Sequence, residues 1–365
     1  MASPQDPRRL FITDCEGPIS RNDNAYELTE HFIPDGDKFF ALISKYDDVQ
    51  ADVVKRRGYK AGDTLRLILP FFMAYEVTNK KMKRFSAQHI LLVPGARDTL
   101  GFVRGLMPSF IVSTSYEQYM RALCEVVDFP YNAVRCTLLD IDRYRIDEKE
   151  AETLRRLRRE IVAMPVIHIP SYATSIDDFS TGDKETIKRL DEIFWDEISG
   201  MKSGRILEEV NPIGGSEKAS AVQRIARETG TDISETIYFG DSITDVQPFR
   251  LVNEHDGLTV SFNGNNYAVR EAEIAVLSGH TIITSVFAEV FSRLGSEGVI
   301  ELVEEWSYSA LRRYCSPALQ SRIVELYPKA LPKVELITSN NRERLIEESS
   351  AFRKNVRGEA VGGLG

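Results

Sequence analysis

Short apolar runs that stop at a small or acidic residue, each followed by an amphipathic stretch, constrain this chain more than any other feature. Leu10–Thr13, Phe110–Ser113, Thr236–Gly240 and Leu258–Phe262 are such runs. Uninterrupted apolar runs of this length predict strands buried on both faces, as in a parallel sheet. Beside them, Ala96–Leu106, Tyr116–Val127 and Glu217–Thr229 carry apolar residues at helical spacing. Alternation of the two patterns predicts an α/β fold, a doubly wound parallel sheet.

The distances between the runs predict additional modules, because one hydrophobic core seldom extends over 365 residues. Residues 1–17, 95–130 and 210–280 are assigned to the sheet core. The segment 18–94 is too long for a simple crossover and holds the helix-like stretches Tyr26–His31, Asp37–Tyr46 and Thr64–Tyr75, so a helical cap is expected there. A second, α/β insert is expected over 131–209, with a charged helix over 147–164 and a short strand Val166–Ile169. His168 in that strand reads as a buried histidine with its hydrogen bonds satisfied. Arg155, Arg156, Arg158 and Arg159 alternate with Glu148, Glu150, Glu152 and Glu160 and read as a solvated helix face. Residues 281–365 form a mostly helical extension whose glycine-rich tail, Gly358–Gly365, is expected to fray.

A formal charge of −9 argues against a nucleic-acid or anionic-membrane surface, since both require a basic field. The start, Met1–Arg9, lacks a signal-peptide core, and the apolar run Leu65–Tyr75 is interrupted by Arg66 and Pro70. A cytoplasmic chain with no nucleic-acid partner and no membrane insertion is therefore expected. Cys15, Cys124, Cys136 and Cys315 show no CxxC pairing and read as reduced thiols. The five histidines have no paired spacing, so zinc is not expected.

Four motifs carry chemistry. Asp14 follows the first strand at the turn Gly17-Pro18, where open α/β sheets collect ligands. An acid there also serves nucleotide-binding and phospho-acceptor folds, or structure alone. Asp241 and Asp245, four residues apart after another strand, suit Mg²⁺, a hard ion that takes oxygen ligands and shares them with phosphate. The alternative is an acidic turn with Asp245 as a helix N-cap. Ser113, beside Thr114, offers a hydroxyl and backbone N–H groups to an anion, as it would to an ordinary cap. Lys218 opens a helix after Gly214-Gly215 and would neutralise a phosphoryl group or be solvated.

In this order, acid, hydroxyl, lysine, paired acids, the sequence resembles the four-motif pattern of the haloacid dehalogenase (HAD) superfamily from about Leu10 to Leu277. Leu92–Ala96, Ile111–Ser113, Gly240–Asp245, Val260–Asn263 and Ala272–Ala275 look most like its phosphoserine-phosphatase-like branch. The resemblance implies a magnesium-dependent phosphohydrolase acting on a small phosphorylated metabolite. Asp14 would be the nucleophile that forms an aspartyl-phosphate, and Glu16 the general acid and base. Ser113, Thr114 and Lys218 would bind phosphate, while Asp14, Glu16 through its carbonyl, Asp241 and Asp245 would hold Mg²⁺. The first motif departs from the usual Asp-x-Asp-x-Thr or Ser, because Glu16 is one methylene longer and Pro18 removes a hydroxyl and a donor. Strand alternation turns Cys15 away from its acidic neighbours, into packing.

In the cap, Tyr26, His31, Lys55, Arg56 and Arg57 are specificity candidates by chemistry alone, with surface or packing roles as the alternative. Asp14–Ser20, Asn22–Ala25 and Lys60–Leu65 further resemble an archaeal group of predicted hydrolases labelled energy-converting hydrogenase A subunit R. That likeness implies an archaeal, cytoplasmic origin and a hydrogenase complex as partner, with a homodimer as the other assembly. It also supplies a second functional reading, a non-hydrolytic accessory subunit that retains the HAD fold.

Overall fold

The computed structural model describes residues 9–170 and 172–363. Among them, seven strands form one sheet: β1 (Leu10–Thr13), β2 (Ser109–Tyr116), β3 (Val134–Thr137), β4 (Thr236–Gly240), β5 (Leu258–Phe262), β6 (Ile274–Leu277) and β7 (Lys333–Leu336). Their spatial order is β3-β2-β1-β4-β5-β6-β7. Every pair is parallel except the last, β6 with β7. β1, β4 and β5 are buried at every residue, which is why they read as unbroken apolar runs rather than alternating ones.

The register sets the site. Thr13 pairs with Ile111 on one side and Phe239 on the other, so Asp14, the end of β2 and Asp241 leave the sheet at one edge. Connections diverge at β1, towards β2 and β3 on one side and β4 to β6 on the other, and such a reversal opens a crevice beyond the strand ends. One face of the sheet is covered by the long helix Ile282–Glu304, whose Val286, Phe287 and Phe291 meet Phe11, Phe239 and Val260. The other is covered by Ser216–Thr229 and Val246–Glu254, whose Val222, Ile225 and Phe249 pack on Ile12 and Tyr238.

The chain leaves the sheet after Ser20 and returns at Leu92, the two being paired in an isolated antiparallel bridge. Between them lie helices from Asn24–Phe32 to Asn79–Gln88. Their apolar faces share one cluster with residues of the later segment, so that Phe39, Phe71 and Phe72 belong together with Leu154, Phe194 and Ile198.

Several expectations are corrected. The segment 131–209 is not an α/β unit of its own: its one strand, β3, is the edge of the main sheet, and the rest is helical or irregular. Val166–Ile169 forms no strand. With no strand alongside it to complete a ladder, only Ile167 is buried there, and His168 is exposed, its N–H held by Asp183 Oδ1 at 3.0 Å. Arg158 is not part of a solvated face either, since it is buried and bonded to Asp35 Oδ2 and the Pro34 carbonyl at 3.0 Å each. The C-terminal extension contributes β7 to the sheet. Its tail, expected to fray, forms a helical turn over Glu359–Gly362 with Val361 buried, and Leu364 and Gly365 lie outside the described residues. All four cysteines are buried and unpaired. No helix among the described residues is long and apolar enough to cross a membrane.

Candidate active site

Where β1 ends, Asp14 is fixed by its neighbours on both sides. Its N–H donates to the Phe239 carbonyl at 2.8 Å, continuing the ladder one residue beyond the strand. Its Oδ1 accepts the Cys15 N–H at 2.6 Å, and its Oδ2 accepts from Lys218 Nζ at 2.6 Å. Lys218, with no exposed surface, also donates to Asp245 Oδ1 at 2.8 Å. Asp245 is the most heavily bonded acid here: Oδ1 takes Lys218 and the Tyr238 hydroxyl (2.8 Å), while Oδ2 takes the N–H groups of Asp241 (2.9 Å) and Ser242 (3.1 Å). It therefore caps the turn after β4 and orients the lysine at once.

Burial pushes the Asp14 carboxyl up to about 8, with Asp245 and Asp241 adding repulsion and Lys218 opposing it. For Lys218, burial works against the ammonium, but Asp14 and Asp245 outweigh it and hold its pKa above the ordinary lysine value.

Glycine permits the close approaches at this corner. Gly17 has φ +103°, and a Cβ on it would stand 2.2 Å from Asp241 Oδ2. At Gly240 a Cβ would stand 2.4 Å from Asp245 Cγ. A side chain at either position would displace a carboxylate of the site.

A cavity opens at Asp14, walled by it and by Glu16, Asp23, Asp47, Asp48 and Asp241 together with Thr64, Thr114, Ser115, Ser242 and Thr244, while Ser113, Lys218 and Asp245 do not line it. Arg353 and Arg357 are its cationic walls. The Thr114 and Ser115 hydroxyls are buried without hydrogen-bond partners, whereas Ser113 Oγ accepts the Ser115 N–H at 3.2 Å. A register shift between β2 and β3 over Val112 to Tyr116 breaks the simple alternation of side chains, so adjacent residues both reach the wall. Glu16 is not in the acidic cluster around Asp14; its Oε1 accepts the Asn24 N–H at 2.8 Å, at the start of the first cap helix. Burial, with Asp23 adding to it, holds its pKa well above the ordinary glutamate value, the Asn24 N–H opposing. Tyr26, His31, Lys55, Arg56 and Arg57 do not line this cavity. Tyr26 is buried, His31 packs on Phe32 and Phe85, and Arg56 lies over Trp195.

Arg353 and Arg357 went unread in the sequence. Both donate to Asp241 Oδ2, Arg357 at 3.1 Å. Their spacing of four residues would have placed them on one helix face, but nothing local marks that face as docked beside β6 and the Asp241 turn. Ser115 likewise had no signal beyond its neighbours.

One carboxylate oxygen from each of Asp14, Asp241 and Asp245 lies within 4.8 Å of the others. An all-oxygen donor set of this kind fits Mg²⁺. Each Asp245 oxygen already accepts two hydrogen bonds and each Asp14 oxygen one, while Asp241 Oδ2 takes both arginines.

Sheet order, the Asp14–Lys218–Asp245 chain and the paired acids after β4 are features this chain shares with hydrolases of the haloacid dehalogenase type. The haloacid dehalogenase-like hydrolase family profile matches residues 137–285. Among solved structures, gene product AF1437 from Archaeoglobus fulgidus is similar over 98% of this chain and 99% of its own, at 26% identity and a TM-score of 0.80. Substrate-bound phosphoserine phosphatase is a distant likeness, with 12% identity and a TM-score of 0.43 over 76% of this chain and 96% of its own. No curated protein sequence matches the chain significantly.

Proposed function

We propose that this chain is a magnesium-dependent phosphohydrolase acting on a small phosphorylated metabolite, with Asp14 as nucleophile. The observation that carries the proposal is the buried chain Asp14–Lys218–Asp245, bonded at 2.6 and 2.8 Å, with Asp241 beside it. A structural ion pair has little reason to sit at a strand end facing a cavity of acids; a phosphoryl-transfer site requires it.

Lys218 and a bound divalent ion would hold Asp14 ionised against the burial that raises its pKa. In the proposed reaction its carboxylate oxygen attacks phosphorus, the bond from phosphorus to the ester oxygen breaks, and Glu16 gives its proton to the leaving oxygen. Glu16 then takes a proton from water, whose oxygen attacks the phosphorus of the aspartyl-phosphate and releases inorganic phosphate and free Asp14. Burial favours the proton-bearing form of Glu16, which is the form a general acid needs. Lys218 holds a phosphoryl oxygen and the charge that develops on it, and the free hydroxyls of Thr114 and Ser115 add donors alongside the expected Ser113. Asp14, Asp241 and the carbonyl of Glu16 would hold Mg²⁺, with Asp245 at its edge; the ion supplies charge neutralisation for a dianionic substrate in a pocket of carboxylates.

The accessory-subunit reading is not favoured, since the matching family profile is that of a hydrolase. A panel of phosphorylated metabolites and an aryl phosphate, assayed for phosphate release with Mg²⁺ and with EDTA, tests the proposal. Release with Mg²⁺ alone is expected; no release from any substrate would remove it.

A further inference from the structure

The C-terminal helix Arg342–Arg357 is far from the site in sequence, yet its last turns end on a site carboxylate. Its docked stripe runs Leu345, Ser349, Arg353, with Arg357 one turn further on. Leu345 packs with Val269, Ala275 and Leu277, and Ser349 donates to the Gly264 carbonyl at 2.6 Å. Beyond them the contacts are ionic. Arg353 Nη1 donates to Asp241 Oδ2 and, at 3.2 Å, to the Asp241 carbonyl; Arg357 Nη1 donates to the same Oδ2. Arg357 also donates to the carbonyls of Arg21 and Asn22, where the chain enters the cap. Both side chains are about as buried as Asp241 itself, at 4% and 5% exposure against 2%.

We infer that Arg353 and Arg357 are a built-in occupant of the cation position at Asp241, so that a divalent ion and the docked end of the helix compete for one carboxylate oxygen. The inference rests on the metal assignment above and concerns how that site is controlled. Two guanidinium groups and a divalent ion around one buried carboxylate repel one another strongly at low dielectric. A buried arginine whose counter-charge is withdrawn is costly to keep in place. Arg353 Nε is already buried without a hydrogen-bond partner. Leu345 is fully buried, with Ile346 and Phe352 packed beside it, but beyond Arg353 the helix carries only the half-buried Val356 as an apolar side chain, so release of its last turn costs little apolar burial. Because Arg357 also ties Arg21 and Asn22, the same release loosens the entry to the cap.

The test uses the full-length protein and Mn²⁺ as probe. Hydrogen exchange over residues 342–357 is measured with and without saturating Mn²⁺, and Mn²⁺ affinity is measured for the wild type and for Arg353→Met. Mn²⁺ is expected to speed exchange in the last turns of the helix, and Arg353→Met to bind Mn²⁺ roughly tenfold more tightly. Unchanged or greater protection of the helix in Mn²⁺-saturated wild type overturns the inference while leaving the metal site standing. The exchange measurement does not depend on the variant folding. Absence of Mn²⁺ binding in both proteins overturns the inference and the metal assignment together.

Discussion

Lys218 Nζ lies 2.6 Å from Asp14 Oδ2 across 204 residues of sequence, and 2.8 Å from Asp245 Oδ1. One buried cation thus serves two buried carboxylates. Lys218→Met leaves both without it, and removing one partner of a buried ion pair costs about 3–5 kcal/mol. The variant is expected to lose phosphate release altogether and to unfold at lower urea, measured by circular dichroism. Wild-type stability would show that the pair is not buried as described.

Tyr238→Phe probes the same network more gently. It deletes one hydroxyl donor to Asp245 and leaves three others in place. A hydrogen bond to a charged group contributes about 1.5–3 kcal/mol, so a measurable loss of stability is expected with turnover kept to within roughly tenfold of wild type. Complete inactivation would mean that Tyr238 itself reaches the substrate.

Legibility in the sequence followed the range of the interaction. β1, β4 and β5 were readable because burial on both faces makes a continuous apolar run. Asp14, Lys218, Asp241 and Asp245 were readable because each sits at a strand end or helix start, with residue type and order both informative. β7 was not, since Lys333–Leu336 alternates charged and apolar residues at a half-buried edge. Arg353 and Arg357 were not, because an arginine on a polar helix looks the same docked or solvated. Val166–Ile169 misled for the opposite reason: an apolar run forms a strand only where another strand lies beside it.

Glu16→Gln removes the proposed acid and keeps a group that can accept from Asn24 N–H. An alkyl phosphate needs its leaving oxygen protonated, and general acid catalysis contributes on the order of 10²–10⁴-fold. An aryl phosphate, with a stable leaving group, needs it less. Rates on the two substrates are expected to fall unequally, the alkyl ester losing far more. Equal losses would remove Glu16 from proton transfer.

Asp47 gives a pH signature in stability. Burial pushes its carboxyl from the ordinary 3.8 up to about 7, with Asp63 adding repulsion. A raised folded-state value means that the folded protein binds the extra proton, so the contribution is full below about pH 4 and lost as pH rises through about 7. Asp47→Asn keeps an acceptor for the Gly62 N–H, now 2.9 Å away, and cannot ionise. The stability of the wild type relative to the variant is expected to fall by up to about 4 kcal/mol over that window. A difference independent of pH, by urea unfolding, would contradict the assignment.

The nucleophilic role of Asp14 is tested most directly by acid-quenching the protein during turnover of an aryl phosphate with Mg²⁺ and sequencing its peptides by mass spectrometry. The account predicts one added phosphoryl group on Asp14, with neither the adduct nor phosphate release in Asp14→Asn. Phosphate release that continues undiminished in Asp14→Asn would contradict it.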